Sequence, residues 1–334
     1  MNSRERTIAA IEGEDVRPVP YHVHLLQGLI AELRERRGAP GDDVDELLGN
    51  DLRWLHFPAP KAPLEGGRWR DGWGVVWSEA ETDRGAVLEH PLTQPSTDGL
   101  VMPPPPSPDE LADLARECAR HSDRYRVIWI GDLIERAQFL RSMEEILVDL
   151  ALHKNFVGEL LDIITELILA RVEAAAALDV EAVFLSDDYG AQQGLLMSPG
   201  TWRELIAPRL DRIFSAARAA GKKVFLHSCG KVDEIVGDLV ELGLDVLHPV
   251  QPEAVDLPDI VRRFGERLTL FGGVSTQWTM SSGSAEEVRR EVAAVCEMCA
   301  HGGRFILAPG ISLQSDVPLR NVEAFLEAAR EWRQ

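Results

Sequence analysis

Cysteine is scarce in this chain of 334 residues, with four in all and no paired framework in their spacing. A disulfide scaffold is thereby excluded. Basic residues are outnumbered, 35 Lys+Arg against 55 Asp+Glu, which leaves a formal net charge of −20. Nucleic acid and anionic membrane surfaces both recruit positive charge, so neither is an expected partner. No apolar run approaches the ~20 residues of a bilayer-spanning helix. The opening Met1-Asn2-Ser3-Arg4-Glu5-Arg6 lacks the apolar core of a secretory signal, and a cytoplasmic setting is the default expectation. No Gly-x-Gly-x-x-Gly follows an early strand, so a dinucleotide-binding sheet has no support. What is present is a hydrophobic fraction of 45%, ordinary for a chain that buries a full core.

Two textures divide the chain. A helix over 3–12 and a strand over 19–25 are expected first, and residues 26–106 read as irregular decoration, a lid or side layer rich in Pro and Trp. Within it, Arg68 to Trp77 reads as a hairpin with Asp71-Gly72 at the turn, the dipeptide that tight hairpin turns favour. Pro103 to Pro106 form a stiff connector, because proline continues neither a helix nor a ladder. Ser107-Pro108-Asp109-Glu110 then supplies a capping box with proline at the first helical position, a strong helix start.

Beyond this point short apolar runs alternate with amphipathic helices. Strands are expected over 127–131, 182–186, 223–227, 245–250, 268–271 and 304–307. Repeated strand–helix units imply parallel strands with crossovers, in an open doubly wound sheet or a closed (β/α)8 barrel. Polar residues gather at the strand C-termini: Asp187-Asp188, His227-Ser228-Cys229, His248, Gln251 and Gln277. Such clustering around one mouth favours the barrel, as one α/β domain over 1–334 with an irregular N-terminal extension.

The sharpest local feature is His227-Ser228-Cys229-Gly230 at the end of an apolar run. Residues i and i+2 of a strand share a face, so imidazole and thiol would project together, as metal ligands or as a nucleophile pair. A buried thiol beside a hydrogen-bonded histidine is the plainer reading. Asp187 and Asp188 are adjacent acids at a strand end, suited either to acid–base work or to turn chemistry. With His227 they form the candidate catalytic set. His22 and His24 alternate onto one strand face, as ligands or as cavity-lining groups. Glu135 pairs with Arg136 or with a substrate. Cys296 and Cys299 have CxxC spacing but fall inside a helix, on the outer ring of a barrel, where packing is the expected role. Cys118 reads the same way.

Taken in order, several motifs make the chain resemble the uroporphyrinogen decarboxylase superfamily. They are Arg4 to Gly13, Arg17-Pro18-Val19-Pro20, Asp71 to Trp77, Glu135 to Leu140, Asp187-Asp188-Tyr189-Gly190-Ala191-Gln192, His227 to Gly230, Gln251-Pro252-Glu253, Gly272 to Gln277 and Asp316 to Asn321. The resemblance implies a distorted (β/α)8 TIM barrel with its site at the strand C-terminal mouth. Candidate substrate-binding residues, from strand position and motif together, are His22, His24, Glu135, Tyr189, Gln192, His248, Gln251 and Gln277. The stretch Tyr21 to Gly28 lacks the arginines with which the decarboxylases grip carboxylates, so the chain looks more like the methyltransferase and O-demethylase branch. That branch implies zinc on a His-x-Cys pair, here His227 and Cys229, and a corrinoid carried by a separate partner protein. The small substrate would be an ether or a thiol. The branch also implies a later cysteine, where this chain has Ile311. The remaining candidates for a third ligand are His22, His24, Asp187, Asp188 and His248. A metal-independent decarboxylase or lyase and a non-catalytic ligand-binding barrel stand as alternatives, and a homodimer is the default assembly.

Overall fold

In the computed structural model, which describes residues 1–78, 85–300 and 302–332, the first barrel strand is β1 (Leu52–His56). A small antiparallel sheet follows, β2 (Lys61–Leu64), β3 (Arg68–Asp71), β4 (Val76–Ser78) and β5 (Val87–Glu89), paired in that order. The expected hairpin is its centre: Asp71 Oδ1 accepts from Trp73 N and Val75 N to shape the turn, and Trp69 stacks on Trp77 at 5.5 Å. The parallel strands continue with β6 (Tyr125–Gly131), β7 (Ala182–Ser186), β8 (Lys223–His227), β9 (Val246–Val250), β10 (Thr269–Val274) and β11 (Phe305–Pro309). Their order in the sheet is β1-β6-β7-β8-β9-β10-β11.

Residues 19–25, expected as a regular strand, make isolated parallel bridges instead, Tyr21 to Leu307 and Leu25 to Leu313. They nevertheless fill the gap between β11 and β1. On one side His22 N donates to Leu307 O and Leu307 N to Pro20 O. On the other, Asp51 N donates to Tyr21 O, while the Asp51 and Asn50 side chains accept from Tyr21 N and Val23 N. The curled sheet is thus closed into a distorted (β/α)8 barrel by side-chain bonds where a ladder is missing. The expected decoration over 26–106 needs a correction here: Leu52–His56 lies in the barrel wall, next to β6.

Alternation along each strand decides what faces inward. Val183, Leu185, Val224 and Leu226 belong to the large cluster packed against the helices, whereas Ala182, Phe184 and Phe225 join Leu52, Tyr125, Val127, Val246, Phe271 and Ile306 in a separate interior cluster. That interior layer plugs the barrel. Each fully buried side chain of this kind contributes about 1.5–3 kcal/mol. Above the plug, the register pairs Ser186 with His227 and His227 with His248, so the next inward row is polar. The helix after the proline run starts at Pro108, with Ser107 and Glu110 in a reciprocal capping box. No described helix is long and apolar enough to cross a membrane.

Candidate active site

The top of the plug and the inward positions above it line a cavity of about 400 Å³ at the strand C-terminal mouth. Its wall holds Trp54 and His56 from β1, Trp129 from β6, Phe184 and Ser186 from β7, His227 from β8, His248 from β9 and Phe271 from β10. His22 and His24 come from the closing segment, and Ala308, Pro309, Ile311 and Ser312 from the end of β11 and its loop.

Two loops meet at one side of this wall. Gly190, after β7, and Gly230, after β8, approach so closely that a Cβ on Gly230 would lie 2.5 Å from the Gly190 carbonyl. Gly230 also has φ +80°, a conformation other residues adopt only with strain. Lys231 N donates to Ala191 O across the junction at 2.8 Å, and Gln251 Oε1 accepts from Gly230 N at 2.8 Å. This contact brings Asp188 beside Cys229, whose backbone N–H it accepts at 2.8 Å. His227 Nε2 lies 3.2 Å from Cys229 Sγ and 3.3 Å from Asp188 Oδ1. One carboxylate oxygen, one imidazole nitrogen and one thiol sulfur all lie within 4.8 Å of one another.

The electrostatics of this corner follow from its composition. Burial alone would lower the His227 pKa, but Cys229 and Asp188 outweigh it and raise the imidazole to about 10. The other ring nitrogen, Nδ1, is 2.9 Å from Nδ1 of His248. Burial and the neighbouring His227 hold the His248 pKa well below its ordinary range, so the neutral His248 accepts there and His227 donates. His22 is also kept neutral: burial lowers it to about 4, and its Nε2 accepts the Trp54 indole N–H at 2.8 Å. The negative surroundings that hold a proton on His227 Nε2 suit a cation in its place. A carboxylate, an imidazole and a thiolate form a donor set of the zinc type, three protein ligands with room for a fourth from the cavity. The residues therefore fit the implied metal, with Asp188 in the role for which the sequence left five candidates open. Ile311, at the position of the absent cysteine, lines the cavity as an apolar wall.

Comparison with known proteins agrees with this architecture. The family model described as Uroporphyrinogen decarboxylase (URO-D) matches residues 134–332. The chain belongs to the uroporphyrinogen decarboxylase family. Two curated relatives, both called methylcobamide:CoM methyltransferase MtaA and both from Methanosarcina barkeri, are 30% and 29% identical over 172 residues, 52% of this chain and 48% of theirs. The chain thus matches about half the length of these relatives. A solved methyltransferase from Methanosarcina mazei superposes with a TM-score of 0.75 over 99% of both chains at 23% identity, a likeness of fold.

Within this family fold, the residues singled out from sequence separate into two groups. His22, His24, His227 and His248 line the cavity, and Asp188 and Cys229 adjoin it through His227. The others are not in the wall. Asp187 is fully buried, and its Oδ1 accepts from Leu133 N and Glu135 N at 3.0 and 2.9 Å. It thus caps the helix Ile134–Arg141 from a neighbouring loop, which argues against a direct role in acid–base chemistry. Burial raises its pKa to about 7. Glu135 sits in that helix's first turn. Tyr189 is buried edge-on against Trp202, 5.8 Å away. Gln192 ties its loop to Glu253 O, Gln251 holds the Gly230 turn, and Gln277 is an exposed rim residue bonded through its backbone N to Glu253. These positions support the loops and do not contact the cavity. Cys296, Cys299 and Cys118 are buried in helices as packing, and burial pushes the Cys296 and Cys299 thiols up to about 12.

The sequence reading missed Trp54, His56, Trp129, Phe184, Ser186 and Phe271. The usable signal was alternation: Trp54 and His56, like Phe184 and Ser186, stand two apart on strands that end at the mouth.

Proposed function

We propose that this chain is a methyltransferase that moves a methyl group between a small molecule in the mouth cavity and a corrinoid carried by a separate protein. The observation that carries the reading is the convergence of Asp188, His227 and Cys229 at one wall of that cavity. The relatives' names, methylcobamide:CoM methyltransferase, support the corrinoid link. Methyl transfer from or to oxygen or sulfur requires control of the charge on that atom. Asp188, His227 and Cys229 would hold zinc, which when bound supplies a Lewis acid for that charge.

The remaining work falls to the chain itself. His248 orients the His227 ring through Nδ1, fixing which nitrogen faces the ligand position. Asp188 has two tasks, one toward the Cys229 backbone and one toward the ligand position, so the turn and the donor set are built together. The aromatic walls exclude water from the reacting atom. Asp187 holds the start of the helix Ile134–Arg141 against the end of β7 through its bonds to Leu133 N and Glu135 N.

The test is elemental analysis of purified protein alongside a methyl-transfer assay with a corrinoid protein. Roughly one equivalent of zinc is expected in the wild type, as for a site with three protein ligands. The metal should be lost in Cys229→Ser and in Asp188→Ala. Wild-type protein that binds no zinc, or zinc content untouched by both substitutions, would sink the metal assignment.

A further inference from the structure

We infer that Trp278 is the anchor on which the separate carrier protein docks over the barrel mouth, with a contact face that is basic around an apolar recess. This deepens the methyl-transfer reading by naming how its partner is held, and it rests on that reading.

The first observation is an aromatic side chain left in solvent. Trp278 is 69% exposed, and no other described Trp, Tyr or Phe is exposed. Trp is among the residue types most enriched where a few side chains carry a protein interface. Single exposed apolar residues are common, however, so the surroundings of Trp278 decide its meaning.

The second observation is how the indole is presented. Trp278 lies in a π-helical turn, Thr276–Met280, directly after β10. Such turns are rare and are frequent at functional sites. Thr276 and Met280, on either side, are buried. Ser275 Oγ accepts from Trp278 N at 3.2 Å, and Ser275 is itself gripped: its Oγ donates to Glu253 Oε1 at 2.5 Å and its N to Glu291 Oε1 at 2.9 Å. Gln277 N also donates to Glu253, and Asn321 Nδ2 donates to Met280 O and Gly283 O. The turn is thus fixed with its largest side chain outward, so docking on it costs little ordering.

The third observation is where the turn stands. It follows the strand that contributes Phe271 to the cavity wall. A Cβ built on Gly310, between the wall residues Pro309 and Ile311, would lie 3.5 Å from Thr276 Oγ1. The turn therefore borders the cavity rim. A carrier protein that exchanges a methyl group with a molecule in the cavity must cover this rim to bring its cobalt within bonding reach, and Trp278 is then buried in the contact.

The fourth observation is the charge around it. The segments after β8, β9, β10 and β11, residues 228–234, 251–256, 275–287 and 310–318, hold seven Asp and Glu against one Lys, Lys231. Glu234, Asp256, Glu286 and Asp316 among them are exposed. Like charges brought together across an interface are costly, so the face that meets this rim is rich in Lys and Arg. A second copy of this chain would set the same acidic rim against its own, which disfavours self-association here.

Methyl transfer to 2-mercaptoethanol by the full chain tests this with two donors, a methylated corrinoid protein and free methylcobalamin. The methyl group leaves Co(III) for the thiolate sulfur, the thiol proton goes to water, and the Co(I) left behind is read by its absorbance. Trp278→Ser should raise KM for the corrinoid protein about tenfold or more at unchanged kcat, and leave kcat/KM for free methylcobalamin unaltered. Trp278→Phe should recover most of the loss, and the wild-type KM for the corrinoid protein should rise with salt. An unchanged KM in Trp278→Ser, or an equal loss with both donors, overturns the docking role, as does a dimer in light scattering that Trp278→Ser dissolves. A KM indifferent to salt overturns the basic face. Wild-type transfer from neither donor is instead a failure of the methyl-transfer reading, and transfer from free methylcobalamin alone removes the carrier protein and this inference with it.

Discussion

His22 offers a sharp test of how the barrel mouth tolerates acid. Its imidazole is 4% exposed, and burial lowers its pKa from 6.5 to about 4. The unfolded chain therefore binds more protons here than the native state between those two values, and stability falls as the pH drops through that window. At full titration the depression corresponds to about 3 kcal/mol, and at pH 5 to about 2 kcal/mol. The perturbation is His22→Gln, which keeps an acceptor for the Trp54 indole N–H but cannot titrate. Urea unfolding of both proteins at pH 8, 6 and 5, at fixed ionic strength, isolates the effect, because every other group titrates in both. The substitution should lower stability modestly at pH 8. The gap should then close by about 2 kcal/mol on going to pH 5. Parallel pH–stability curves for the two proteins would refute the argument that His22 is held neutral by burial.

Three further outcomes follow from the structure. His248→Phe removes the partner of His227 Nδ1 and should weaken zinc binding about 10- to 100-fold in chelator competition, as loss of an outer-shell partner typically does. Asp187→Ala strands the Leu133 and Glu135 N–H groups and should cost about 2–4 kcal/mol in urea unfolding, while the zinc content of the folded protein stays unchanged; loss of zinc in folded protein would return Asp187 to the metal site. Arg126 is fully buried and bonded to Glu181, Asp179 and Cys118 O. Arg126→Met removes several bonds to Glu181, which keeps Arg4 as its remaining guanidinium at 2.7 Å, and should destabilise by about 1.5–3 kcal/mol, read as a fall in the urea midpoint.

Much of the barrel was legible because its strands carry local signals. Residues 182–186 and 223–227 are short apolar runs that end in polar residues, and they form the strands expected of them. The segment 52–56 was not legible, since Trp54, Arg53 and His56 dilute the apolar run, and its pairing partner Tyr125–Gly131 lies about seventy residues away. His227 and Cys229 could be placed together from their i, i+2 spacing. Asp188 could not be chosen from five candidates, because its position depends on two glycines from different loops meeting, a contact between distant parts of the chain. Gln251 and Gln277 read as mouth residues because they follow strand ends, and Gln192 because of its motif position. The structure shows that polar residues on mouth loops also serve to fasten those loops to each other.

The side-chain closure between residues 19–25 and β1 has a consequence for precision. A backbone ladder can slip by one residue and keep most of its bonds, and a slip of one turns every side chain to the opposite face. Here such a slip would swap His22 and His24 for Tyr21 and Val23 at the mouth. Asn50 and Asp51 each reach one particular amide, and Asn50 also returns a bond to Val23 O. The seam therefore has a single setting, in which the two imidazoles face inward. Tyr21 is locked behind it by bonds from its hydroxyl to Leu48 O and from Arg330. Alignment at this edge is keyed by donor and acceptor position, so the seam that closes the barrel is also its indexing mark.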